Sequence, residues 1–178
     1  MGPILLLTGR PGVGKTTLLR RVAEALGDRA GGFYTEEIRG PRGRSGFRLV
    51  TLDGRSAVFA HVDWIGCAPY RVGRYGVDVA PLERLGVPAL RAAAAAAKVV
   101  LVDEIGKMEL FSEAFRQALE EIADGPPILV ATVTSSSHPW ADAFKRRPDA
   151  TLWTLTPANR EALFSRALDW LRGHGALP

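Results

Sequence analysis

The sequence predicts an α/β fold, a three-layer α/β/α sandwich whose sheet is mostly parallel and carries an antiparallel insertion. Three observations predict it. Apolar runs too short for anything but buried strands recur at 4–7, 99–102 and 128–133, and continuous rather than alternating apolarity marks strands covered on both faces. Segments with apolar residues at helical spacing separate these runs. A different texture, short β-rich runs punctuated by turn residues, fills 31–62.

Residues 3–8 form the first strand, 9–14 a glycine-rich loop and 15–26 the first helix, with Leu18, Leu19, Val22, Ala25 and Leu26 on one face and Gly27 as the stop. The insertion reads as an antiparallel meander. Its runs are 32–39, 46–52 and 57–62, and Asp53-Gly54 makes a hairpin turn between the last two. Residues 63–77 are loop-rich, with room for one short strand at 75–77. A helix is expected over 81–97, disturbed at Pro88 and carried by the alanine run 92–97. Strand 99–102 follows. Ser112 caps a helix that runs to Ala123 and stops at Gly125-Pro126-Pro127. After strand 128–133, a polar and basic connection spans 135–149 with a helical turn or two. Strand 151–155 leads into a last helix, opened by Thr156-Pro157 and running to Arg172. Residues 1–178 are thus expected to make one domain.

Composition excludes several classes of protein. A hydrophobic content of 47% is too high for a disordered chain. The net charge of +4 comes from nineteen arginines and four lysines scattered along the sequence, so no dedicated nucleic-acid arm stands out. A single cysteine, Cys67, excludes an intrachain disulfide and a cysteine-rich zinc site. The three histidines, His61, His138 and His174, are too dispersed for a metal cluster. No run spans a membrane, and the expected compartment is the cytoplasm. The sequence sets no oligomeric state; a monomer is the simplest reading.

Two motifs carry chemistry. Gly9-Arg10-Pro11-Gly12-Val13-Gly14-Lys15-Thr16 matches the phosphate-binding loop pattern G-x-x-x-x-G-K-[ST], and Thr17 continues it into the helix. Backbone N–H groups surround phosphate oxygens only where no Cβ holds the chain away, hence the three glycines. The helix N-terminus behind them favours an anion. Lys15 reaches the β- and γ-phosphates, and the Thr16 hydroxyl joins the shell of a Mg²⁺ ion. The second motif is the apolar strand ending in Asp103-Glu104, the pattern of a Walker B strand. Asp103 is the second magnesium ligand, and Glu104 orients and polarises an attacking water. The expected nucleotide-binding segment around it comprises Leu101, Val102, Asp103, Glu104, Ile105 and Gly106.

Several stretches resemble one family of small P-loop nucleoside-triphosphatases, the cancer-related or THEP-type NTPases. They are the phosphate loop itself, Gly32-Phe33-Tyr34-Thr35-Glu36-Glu37-Ile38-Arg39, Arg44-Ser45-Gly46-Phe47, Val102-Asp103-Glu104-Ile105-Gly106-Lys107-Met108-Glu109-Leu110-Phe111 and Thr156-Pro157-Ala158-Asn159-Arg160. The resemblance covers nearly the whole chain. It implies a P-loop NTPase domain that slowly hydrolyses several nucleoside triphosphates, ATP and GTP among them, to diphosphate and phosphate.

Other residues are candidates on their own chemistry. Charge builds on oxygens during hydrolysis, so a further cation is expected; Arg39 and Arg44 on the meander lead, with Arg146 or Arg147 second. Asn159 and Arg160 lie at the sheet edge where ligands bind, either touching base or ribose or serving only as a cap and a surface pair. Lys107 and Glu109 read as caps, and Met108, Leu110 and Phe111 as packing. Two alternatives to a hydrolase remain: a small-molecule or nucleotide kinase with 135–148 as its lid, and a nucleotide-controlled switch in which the meander changes order.

Overall fold

The structure is a computed structural model that describes residues 1–96 and 98–178. Its strands are β1 (Ile4–Thr8), β2 (Ala30–Gly40), β3 (Gly43–Thr51), β4 (Ser56–His61), β5 (Tyr70–Val72), β6 (Tyr75–Val77), β7 (Val99–Ile105), β8 (Leu129–Val133) and β9 (Ala150–Thr154). The helices are α1 (Lys15–Leu26), α2 (Val87–Ala95), α3 (Glu113–Asp124), α4 (Pro139–Lys145) and α5 (Arg160–Gly173). The strands make one sheet in the order β5-β6-β4-β3-β2-β7-β8-β1-β9. From β2 through β9 the neighbours are parallel, and from β2 through β5 they are antiparallel.

The expected α/β sandwich is borne out, and alternation along β1 shows how it is built. Ile4 and Leu6 enter one apolar core with Phe33, Phe115 and Ile122, while Leu5 and Leu7 enter the other with Leu18, Val22, Trp153 and Ala167. A strand with all four of these side chains fully buried has helices on both faces. α1 contributes Leu18, Leu19, Val22 and Leu26 to the second core. Each such burial contributes roughly 1.5–3 kcal/mol. Together they far outweigh the few tenths of a kcal/mol, roughly, that are forgone because Gly14 supplies no side-chain cap to the helix.

The antiparallel meander is as expected, but its first strand is shared: Ala30–Phe33 of β2 pair in parallel with Val99–Val102, and Phe33–Gly40 pair antiparallel with β3, so one strand joins both halves of the sheet. The structure adjusts three further expectations. The loop-rich stretch holds two strands rather than one, because Gly73, at φ 55°, lets Tyr70–Val72 fold back on Tyr75–Val77. The helix expected over 81–97 is helical without a break through Ala95, but its disturbance is a π-turn at Leu82–Gly86 leading into α2 rather than a break at Pro88; the final residue of that expectation, Ala97, lies outside the described residues. The last helix starts at Arg160 rather than Pro157. Asn159 accepts the Thr156 N–H at 2.8 Å and donates to the Thr154 carbonyl at 2.9 Å, which spends residues 156–159 on a turn. The Ser112 cap is as expected, accepting from Phe115 N–H at 3.0 Å.

Among the described residues no helix is long and apolar enough to cross a membrane. The join between β2 and β7 depends on Gly32, whose φ of +120° is strained for any other residue. A Cβ there would sit 2.0 Å from the Leu101 carbonyl oxygen. Gly32→Ala is expected to cost ~3 kcal/mol or more, read as a shift in the urea midpoint.

Candidate nucleotide site

β1 delivers the chain at the carboxyl end of the sheet, where Gly12 and Gly14 turn it through positive φ (77° and 108°) into α1. These are the positions at which glycine is required. The first amides of α1 receive no side-chain cap and remain free to hold an anion. Lys15 folds back along the loop, its Nζ donating to the Gly9 carbonyl at 2.9 Å and lying 3.7 Å from Glu104 Oε2.

Asp103 is the hub. Only 1% exposed, it accepts the Thr132 hydroxyl at 2.5 Å on Oδ1. Its Oδ2 accepts the Thr16 hydroxyl at 2.8 Å, and the N–H and hydroxyl of Thr35 at 3.3 Å each. A buried carboxylate needs such donors to offset its lost hydration. The strand expected to end at Val102 runs on to Ile105, which pairs with Val133 and aims Asp103 inward. Hard oxygen donors from Thr16 and Asp103, meeting across 87 residues of sequence, fit a hard divalent cation.

Glu104 is half-buried beside Lys15. Burial lifts its pKa above the ordinary carboxylate value; Lys15 opposes that rise and the charge on Asp103 adds to it. Sequence reasoning reduced Glu109 to a cap. In the structure it is a buried acid, 6% exposed and facing the same cleft. Burial pushes it well above the ordinary value, and the nearby Glu104 pushes it further. Gly106 makes the approach possible, since a Cβ there would stand 2.8 Å from both Glu104 Oε1 and Glu109 Oε2.

These groups open on a cleft of about 720 Å³ that runs from Pro11, Gly12 and Thr17 past Asp103 to the meander. Of the sequence candidates, Pro11, Gly12, Gly14, Lys15, Thr16, Thr17, Asp103, Glu104, Arg39 and Arg44 line it. Arg44 Nη1 and Arg39 Nη2 each pair with Glu37 at 2.8 Å, and Arg44 Nε donates to the Tyr75 hydroxyl at 2.9 Å. Leu101, Val102 and Ile105 instead face the cores. Val13 is buried and Arg10 points to solvent; Gly9 contributes its carbonyl. Arg160 stands behind the loop, its Nε donating to the Val13 carbonyl at 2.8 Å, while Asn159 is occupied in its turn.

The lid arginines are not at the site. Arg147 pairs with Asp124 at 2.8 Å and Asp149 at 2.9 Å, beside Met1 at the opposite edge of the sheet, because α4 carries the chain away from the cleft. Arg146, at the exposed end of α4, goes with it. Two further residues were missed at the site. Thr35 had no signal beyond the family-like run 32–39. Met108 packs against the first core as expected and, in addition, lines the cleft.

Residues 4–168 match the family model described as NTPase. The chain belongs to that family. The nucleoside-triphosphatase THEP1 of Thermotoga maritima is 44% identical over 168 residues, 94% of this chain and 95% of that protein. The THEP1 of Aquifex aeolicus is 42% identical over 176 residues, 94% of this chain and 98% of its own. The crystal structure of THEP1 from Aquifex aeolicus superposes with a TM-score of 0.85 at 41% identity, over 94% of this chain and 98% of the other. The solution structure of a human cancer-related nucleoside triphosphatase gives 0.80 at 36% identity, over 97% and 98%. The NTPase resemblance carried by the phosphate loop and the run 102–111 is therefore borne out.

Glu109 supplies a test of the site's electrostatics. An acid whose folded-state pKa is lifted keeps its proton in the folded chain where the unfolded chain has released it. Its contribution to stability is full below the unfolded value and is lost as pH rises toward the folded one. In nucleotide-free protein, the unfolding free energy of the parent is expected to fall relative to Glu109→Gln as pH climbs above 4.5. Urea titrations across pH read the divergence.

Proposed function

We propose that residues 1–178 act as one P-loop domain, in the cytoplasm and as a monomer, that hydrolyses nucleoside 5'-triphosphates to diphosphate and phosphate with broad base tolerance, ATP and GTP included. The observation that carries the reading is the 2.8 Å contact between Thr16 and Asp103, with Glu104 and Lys15 alongside.

The geometry supports the following roles. Amides of Gly12, Gly14 and the first turn of α1 hold the phosphate oxygens, and Lys15 exchanges its loop carbonyl for the β- and γ-phosphates. Thr16 and Asp103 would hold Mg²⁺, which when bound neutralises charge on the phosphate oxygens. The phosphate chain runs from the Arg160 side of the loop toward Glu104, so that the γ-phosphorus faces that carboxylate. Glu104 accepts a proton from water as the water oxygen bonds to the γ-phosphorus. The bond from that phosphorus to the bridging oxygen breaks, and the electron pair leaves with the diphosphate. A base whose pKa is lifted toward the working pH suits this transfer. Arg44, anchored by Glu37 and Tyr75, is the better-placed further cation; Arg39 is 73% exposed.

Phosphate release from ATP, GTP, CTP and UTP, with and without Mg²⁺, tests the reading directly. Release from all four that needs the metal is expected; no release from any refutes it. Glu104→Gln is expected to lower turnover about 10²-fold or more while triphosphate binding persists. Lys15→Ala is expected to weaken both turnover and binding. Arg44→Ala is expected to lower turnover further than affinity, measured with binding followed separately at constant Mg²⁺.

A further inference from the structure

The cleft extends past the residues that hold phosphate, and its two ends differ in chemistry. Lys15, Thr16, Asp103 and Glu104 belong to the end at β1 and β7. Past β2 lies a second lobe built from β3, β4, β5 and the turn after β7. Phe47, Phe59, Val72 and Met108 give it an apolar wall. Arg44 lies over Phe47, 5.1 Å from the ring centroid, and Lys107 stands on the rim. On the phosphate reading above, on which this inference rests, the nucleoside leaves toward Arg160, on the far side of β1. It does not enter the second lobe.

That leaves an apolar wall facing the cleft with no part of the nucleotide to cover it. We propose that this lobe is a second ligand site, taking a small organic anion with a flat apolar body, bound at the same time as the nucleotide. The charge at this end points to an anion: Arg39 and Arg44 share the carboxylate of Glu37, one oxygen each, the neighbouring Glu36 is met by Arg20 and Arg48, and Lys107 adds a further ammonium. The wall points to an aromatic body, because Phe47 is only half-buried and packs edge-on against Tyr75, 5.2 Å between centroids, which leaves ring surface toward the cleft. Pockets that pair an apolar lining with a few convergent polar groups are the usual form of a small-molecule site.

The sequence offers a direct reporter. The chain has two methionines, Met1 and Met108. Met108 lines the lobe, while Met1 sits 82% exposed at the opposite edge of the sheet. In full-length protein labelled at the methionine methyls and saturated with a non-hydrolysable triphosphate and Mg²⁺, naphthalene-1-carboxylate is titrated in. The expected result is a saturable ring-current shift of the Met108 methyl with Met1 unmoved. Lys107→Glu, on an exposed side chain that leaves the core untouched, is expected to weaken that titration roughly tenfold, the scale of a lost charge-assisted contact. Val72→Glu, checked for its thermal midpoint, is expected to do the same from inside the lobe. A Met108 methyl that does not move, or a shift that the triphosphate abolishes, overturns the second site. So does a titration unchanged in both variants. Nucleotide affinity is followed in the same samples through a fluorescent triphosphate. If Lys15→Ala leaves that affinity intact, it is the phosphate reading that fails, whatever Met108 does.

Discussion

One buried carboxylate organises the functional end of this molecule. Asp103 collects hydroxyls from Thr16 at the start of α1, Thr35 on β2 and Thr132 on β8, together with the Thr35 amide. An ion this deep is tolerated only when its hydration is replaced by well-aimed donors. Satisfying it therefore fixes the relative positions of four elements that the sequence keeps far apart. The phosphate loop stands at its height above the sheet because Thr16 must reach Asp103. Thr35 adds a side-chain tie between β2 and β7 just past the end of their backbone pairing. The fold and the site are consequences of the same set of contacts.

The second acid works against burial in another way. Glu104 and Glu109 approach each other around Gly106, where any side chain would intrude. Both are lifted above the ordinary carboxylate value, Glu109 the more strongly because its burial is nearly complete. Lys15 offsets part of that cost for Glu104 alone. The cluster is thus a place where charge is held against solvation, the condition under which a carboxylate keeps a useful affinity for a proton.

Much of this was legible from residue order, and what was not has identifiable causes. The glycines at 9, 12 and 14, followed by Lys15 and Thr16, announce a backbone cradle because few other constraints demand that pattern. Asp103 and Glu104 are legible because four apolar residues deliver them to a strand end. The helix boundaries at Ser112 and Gly125 follow from cap chemistry confined to a few neighbouring residues. Thr35 was illegible because its role depends on a partner 68 residues away. Glu109 looked like a surface cap because nothing local says that the turn after β7 folds inward over it. Arg147 misled for the opposite reason: a basic residue in a polar connection says nothing about which end of the sheet it reaches. The two-way pairing of β2 was hidden too, since an edge shared between parallel and antiparallel neighbours leaves no pattern in one strand's composition.

The parallel pairing of β2 with β7 covers only Ala30–Phe33 of β2. Beyond it the two strands diverge, and the mouth of the cleft is the angle between them. The two halves of that mouth are under different physical constraints. The inner half holds the threonine and aspartate contacts, where a changed side chain leaves a buried carboxylate short of a donor. The outer half, bearing Phe47 and Val72, can take other side chains without disturbing the grip on phosphate. What enters the outer half of the mouth can thus be retuned while the chemistry of the inner half stays intact.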